Sequence, residues 1–138
     1  TVYGEFVSSY TKKGGDFITI ISNDAWWGNT AGHKQLLSYA RLRAIENRRY
    51  IVRSANSGIS SIIDHKGKIL STLEYGKYGI LTGTAEKVSG KTFYNNYGDF
   101  IARVSIFISI SMILILFVTS NKNFNSSLPL DSPMRYDS

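Results

Sequence analysis

Apolar positions in this chain change period several times, and each change marks an element. Val2, Tyr3, Phe6, Val7 and Tyr10 recur at spacings that share one helix face. A helix is therefore predicted over Val2–Lys13, ended by Gly14-Gly15. Phe17, Ile18, Ile20 and Ile21 then form a short, nearly continuous apolar run. A run so short and so rich in β-branched residues predicts a strand buried on both faces of an α/β sheet. It stops at the polar turn signal Ser22-Asn23-Asp24, and Trp26, Trp27 and Gly28 follow at once. From about His33 to Arg49 the period is helical, with a cap at Asn29 or Thr30. Leu36, Leu37, Ala40, Ala44 and Ile45 share one face, and Arg41, Arg48 and Arg49 occupy the other. Glu46 lies within one turn of Arg43 and Arg49 and is predicted to pair with one of them. His33 falls near the helix start and reads as a surface or loop group.

Tyr50–Ser54 is a second buried strand, closed by the turn signal Ala55-Asn56-Ser57-Gly58. Ile59–Ile63 and Lys68–Leu73 read as a hairpin around Asp64-His65-Lys66-Gly67, where Asp first and Gly fourth suit a type I turn. His65 becomes a tip residue. A loop over Glu74–Tyr78 leads to one more expected short strand, Gly79–Ala85. Phe100–Thr119 differs from everything before it. It has the length of a bilayer span if Arg103 snorkels from near its start. Ser105, Ser109 and Ser111 can return their hydroxyls to the helix backbone, and Phe93, Tyr94, Tyr97 and Phe100 resemble an interfacial aromatic belt. Three regions are thus expected: a mixed α/β domain over 1–99, a membrane helix over 100–119 and a disordered polar tail over 120–138.

Composition narrows the chemistry. The chain lacks cysteine, which excludes disulfides, thiolate metal sites and a thiol nucleophile within it. Two isolated histidines argue against a zinc site, and no cofactor is implied. The net charge of +6 comes from scattered residues without the aromatic-basic motif of an RNA-binding module, so nucleic acid is not an expected partner. The chain opens on Thr1-Val2-Tyr3, which reads as a processed start or a piece of a longer protein. An N-terminal threonine can serve as a nucleophile with its own amine as base, but nothing nearby supports that role. Ligand sites in open α/β sheets gather beyond the carboxyl ends of strands. Asn23, Asp24, Trp26 and Trp27 stand at such an end and are the candidate binding residues. The competing assignment is a capped strand whose tryptophans only fill core.

SNDAWWG (Ser22–Gly28), ARLRAIENRRYIVRSANSGISSIIDHKGKI (Ala40–Ile69), TFYNNYGD (Thr92–Asp99) and the apolar helix occur together and in this order. In that combination the chain resembles apolipoprotein N-acyltransferase, a bacterial membrane enzyme whose extracytoplasmic domain has the nitrilase, or carbon–nitrogen hydrolase, fold. The resemblance implies the C-terminal part of a nitrilase-like α-β-β-α sandwich followed by one transmembrane helix. It implies acyl transfer from a phospholipid to the free α-amine of a diacylglyceryl-cysteine on an apolipoprotein, in two steps through a cysteine thioester. The implied partners are the phospholipid donor, the diacylated apolipoprotein acceptor, the membrane and the rest of the parent enzyme. The implied location is the bacterial inner membrane, with the domain periplasmic and the tail cytoplasmic.

The family's Glu-Lys-Cys triad has no counterpart here. Its Cys-Tyr-Glu stretch would fall immediately before Thr1, with the Glu, the Lys and seven membrane helices further upstream. No catalytic residue is assigned to this chain, which is expected to be inactive alone. Asn23, Asp24, Trp26 and Trp27 match the family's loop at the pocket border, and Arg43, Glu46 and Asn56 match positions of buried polar pairing. Two other classes stay open at this point: an amidase of the same fold acting on small soluble amides, and a membrane-anchored remnant without catalysis.

Overall fold

The computed structural model describes residues 2–126. Its chain order is α1 (Gly4–Lys12), β1 (Phe17–Asn23), a 3-10 turn (Ala25–Trp27), α2 (Ala31–Asn47), β2 (Tyr50–Asn56), β3 (Ser60–Ile63), β4 (Ile69–Leu73), α3 (Phe93–Tyr97) and α4 (Phe100–Ser126). The four strands form one sheet in the order β1-β2-β3-β4. β1 and β2 run parallel, as strands joined through a crossover helix must, with Phe17 opposite Tyr50 and Asn23 opposite Asn56. β2, β3 and β4 are antiparallel neighbours. The predicted hairpin closes as expected: Gly67 donates its N–H to the Asp64 carbonyl at 3.0 Å, and Asp64 Oδ1 accepts from Lys66 and Lys68 at 2.8 Å each.

Strand pairing puts Ile20, Ile51 and Ile63 on one face, where they pack with Ala40 and Ala44 of α2; Ile18, Leu37 and Ile69 close the cluster. Alanines at the crossing let the helix axis approach the sheet closely. α1 departs from expectation. It buries Val7, Ser8 and Thr11, while Phe6 and Tyr10 stay exposed. Its inward face is polar because it meets other polar groups. Asn95 of α3 donates from Nδ2 to Ser8 Oγ at 2.7 Å, Asn47 Oδ1 at 2.8 Å and Thr11 Oγ1 at 2.9 Å. Thr92 and Asn95 form a reciprocal capping box at the start of α3.

β1 is buried on one face only. The opposite face carries Phe17 and Ile21, the latter 87% exposed, and borders a groove of about 410 Å³ against Phe6 and Tyr10 of α1. The segment that the sequence assigned to a fifth strand lies against β3 and β4 instead. Among the described residues Gly79–Ala85 joins no strand. It lies over the sheet face, where a Cβ on Gly83 would meet Ile62 Cδ1 at 2.5 Å. A backbone there cannot reach the ladder groups, which point along the sheet plane.

α2 ends two residues early, with Arg48 left-handed at φ 48°. Ile45 is exposed, and Arg49 turns inward instead of facing solvent. Its guanidinium donates to the Gly15 carbonyl at 2.8 Å and the Gly90 carbonyl at 2.7 Å, tying three loops. Arg43, rather than Arg49, pairs with Glu46, at 3.2 Å.

The chain divides into two compact units after Asp99. In the second, α4 runs beyond the expected end at Thr119, so residues 120–126 are helical. Over Phe100–Asn121 it is long and apolar enough to cross a membrane. Ser109, Ser111 and Thr119 each return a hydroxyl to the carbonyl four residues earlier, at 2.8–2.9 Å. The rest of the expected tail, residues 127–138, and the Thr1 nucleophile considered above lie outside the described residues.

Candidate functional site

Parallel pairing of β1 with β2 in register brings their carboxyl ends level. Asp24 extends the ladder by one step, donating its N–H to the Asn56 carbonyl at 3.3 Å. The chain then turns sharply. Trp27 N–H returns to the Asp24 carbonyl at 3.1 Å and Gly28 N–H to the Ala25 carbonyl at 3.2 Å. Thr30 caps α2, accepting from Gly32 N–H at 3.3 Å, and its hydroxyl donates to the Trp27 carbonyl at 2.6 Å.

The four candidate residues separate into two kinds. Asp24 is fully buried and forms an ion pair at 2.5 Å with Arg53 of β2, whose side chain is equally enclosed. Ser22 Oγ donates to the other carboxylate oxygen. Arg53 also donates from Nε to the Ile59 carbonyl at 3.2 Å, while its Nη1 has no hydrogen-bond partner among the described residues. Gly58 makes the arrangement possible, since a Cβ there would collide with the Asp24 carboxylate. Asn23 is exposed, with its Oδ1 accepting from Ala25 N–H at 3.3 Å and more distantly from Asn56 Nδ2. Asn56, expected in a buried pair, is therefore an exposed strand end.

The tryptophans are not core residues. Trp26 is 86% and Trp27 53% exposed. Trp27 rests on the first turn of α2, where a Cβ on Gly32 would meet its ring at 2.6 Å. Two large aromatics in solvent forgo the burial that such side chains normally gain.

His33 was expected at the surface but is buried, its ring 4.6 Å from that of Tyr75. The single helical period could not reveal this, because Tyr75 comes from a loop 42 positions later whose Gly76 N–H bonds to the Ser57 carbonyl at 3.1 Å. Arg53 was likewise missed. It sits in an apolar strand run, and an arginine there was itself a signal that a buried acid faced it.

Away from this end, Arg43 and Glu46 lie beside Gly4, Tyr94 and Asp99. Burial holds the Glu46 carboxyl above its ordinary pKa; the Arg43 guanidinium works against that and the Asp99 charge adds to it. Burial likewise raises the Tyr94 phenol.

The sequence profile of the carbon-nitrogen hydrolase family matches residues 1–91. The chain is 38% identical over 101 residues to an apolipoprotein N-acyltransferase of Geobacter metallireducens, covering 73% of this chain and 19% of that protein. It is 39% identical over 112 residues to apolipoprotein N-acyltransferase 2 of Leptospira interrogans, covering 76% and 18%. A Vibrio vulnificus apolipoprotein N-acyltransferase is 29% identical over 111 residues, covering 80% and 22%. The chain thus spans about a fifth of the length of these relatives. With a profile match across two thirds of its residues and a mixed four-stranded α/β unit to go with it, this chain belongs to the carbon-nitrogen hydrolase family.

Proposed function

We propose that this chain is the pocket rim and membrane tether of an apolipoprotein N-acyltransferase. In the reaction, a cysteine thiolate supplied from outside this chain attacks an ester carbonyl of a phospholipid. The acyl–sulfur bond forms as the lysophospholipid leaves. The free α-amine of a diacylglyceryl-cysteine then attacks the thioester, and the thiol returns. This chain holds no cysteine, so it acylates nothing by itself. Its contribution is binding.

The observation that carries this reading is the pair of exposed tryptophans at the carboxyl end of β1, in a turn that starts at the buried Asp24–Arg53 ion pair. Flat apolar rings on a rigid base suit an alkyl chain, which offers area and no hydrogen bonds. Asn23 beside them supplies a polar group for the ester or headgroup region, and Asp24 supports the turn from beneath. α4 supports the same reading, since an enzyme with two lipid substrates gains from residing in the bilayer. We place the protein in the bacterial inner membrane, with residues 1–99 periplasmic and the end of the chain cytoplasmic.

The test uses the full-length protein carrying this chain, in detergent micelles with labelled phospholipid. Trp26→Ala combined with Trp27→Ala is expected to raise KM for the donor about tenfold, because it removes contact made before and during reaction alike. Unchanged KM in that variant rejects the rim assignment. Absence of labelled thioester in the unaltered protein rejects the acyltransferase reading.

A further inference from the structure

We infer that Arg53 is a positioning residue for the tryptophan turn, and that through Asp24 it sets how tightly the site holds an acyl chain; the second clause rests on the function proposed above. Trp26 is nearly surrounded by solvent and cannot be aimed by packing. Its direction is fixed only as well as the backbone beneath it. That backbone is anchored through Asp24, whose carbonyl accepts from Trp27 N–H and whose N–H reaches Asn56.

The Asp24 carboxylate is in turn gripped on both oxygens, by Arg53 Nη2 on one and Ser22 Oγ on the other. Arg53 spans further than the pair. With Nε on the Ile59 carbonyl it joins β2 to the turn after β1 and to the residue just before β3 in one planar fork. A lysine ammonium can reach one of those partners but not both in that plane. A buried pair gains little net stability over apolar residues of the same volume, so the feature it supplies is geometry. Gly58 supports this account, because it leaves the space that the carboxylate fills.

Two substitutions disturb the grip by different routes. Arg53→Lys keeps the charge and loses the fork; Gly58→Ala keeps both charged groups and pushes the carboxylate aside. Asn95→Ala, in the polar contact of α1 with α3, is the control for destabilisation elsewhere. Each is made in the full-length protein, and hydrogen–deuterium exchange is read for the peptide covering 24–30 beside KM and kcat for a phospholipid donor.

Arg53→Lys and Gly58→Ala are expected to speed exchange in 24–30 about tenfold relative to the rest of residues 2–99. KM is expected to rise about tenfold with kcat within about twofold. Asn95→Ala is expected to produce no such selective change. Should both site variants lose protection uniformly, or keep 24–30 as protected as before, Arg53 is a structural ion pair and the inference falls. Selective opening with unchanged KM also overturns it. If the unaltered protein transfers no acyl group, the functional reading fails on its own, and the exchange comparison still decides whether Arg53 fixes the turn.

Discussion

Two buried polar regions stand at different places in the first unit, and they are built on opposite lines. The Ser8–Thr11–Asn47–Asn95 group is uncharged, and each side chain has partners within 3 Å. It joins α1, α2 and α3. The Asp24–Arg53 pair is charged, leaves Arg53 Nη1 without a partner among the described residues, and anchors the start of the turn that carries two tryptophans in solvent. A neutral, satisfied network gives helices a unique docking geometry at modest desolvation cost. A buried charged pair is a poor way to gain stability and a good way to fix direction. On the function proposed above, the first region is scaffold and the second supports the binding surface.

This contrast can be broken from either side. The largest effect is expected for Asp24→Ala, which leaves the Arg53 charge buried and unpaired and should cost about 3–5 kcal/mol in urea unfolding. Asn95→Ala comes next. It strands Ser8, Thr11 and Asn47 without their shared donor and should cost about 2–3 kcal/mol, while leaving KM for a lipid donor unchanged. A loss of binding in that variant, with Arg53→Lys silent, would reverse the two roles.

A pH effect sharpens the comparison. Because burial raises the Glu46 pKa above the ordinary 4.5, protonated Glu46 favours the fold. Its contribution is fully present below about pH 4.5 and is lost as pH rises through the folded value. Glu46→Gln should remove that slope, so that the variant gains on the natural protein as unfolding is measured from pH 4.5 upward. A parallel pair of stability curves would contradict this. The smallest effect on stability is expected for Trp26→Ala, within about 0.5 kcal/mol, since the ring buries almost nothing. A large loss there would mean that Trp26 packs as core.

The apolar periods placed α2, the two parallel strands and the hairpin, because each of these pays for itself locally in burial along one face; α1 is a helix as its period indicated, but the face that period marked is not the one it buries. The turn after Asn23 and the long apolar helix were equally legible, the first from its residue types and the second from its length. The sequence alone could not say which polar residues are enclosed. Arg53 and His33 are buried only because Asp24 and Tyr75 come to meet them from 29 and 42 positions away, and one-dimensional spacing holds no trace of such meetings. The same limit explains the missing fifth strand. Gly79–Ala85 carries a strand's pattern, but whether a segment pairs at an edge or lies across a face is decided by the sheet already formed. For the tryptophans, residue type favoured the core and tertiary structure set them in solvent, because the short turn after β1 buries Asp24 and leaves both rings outside.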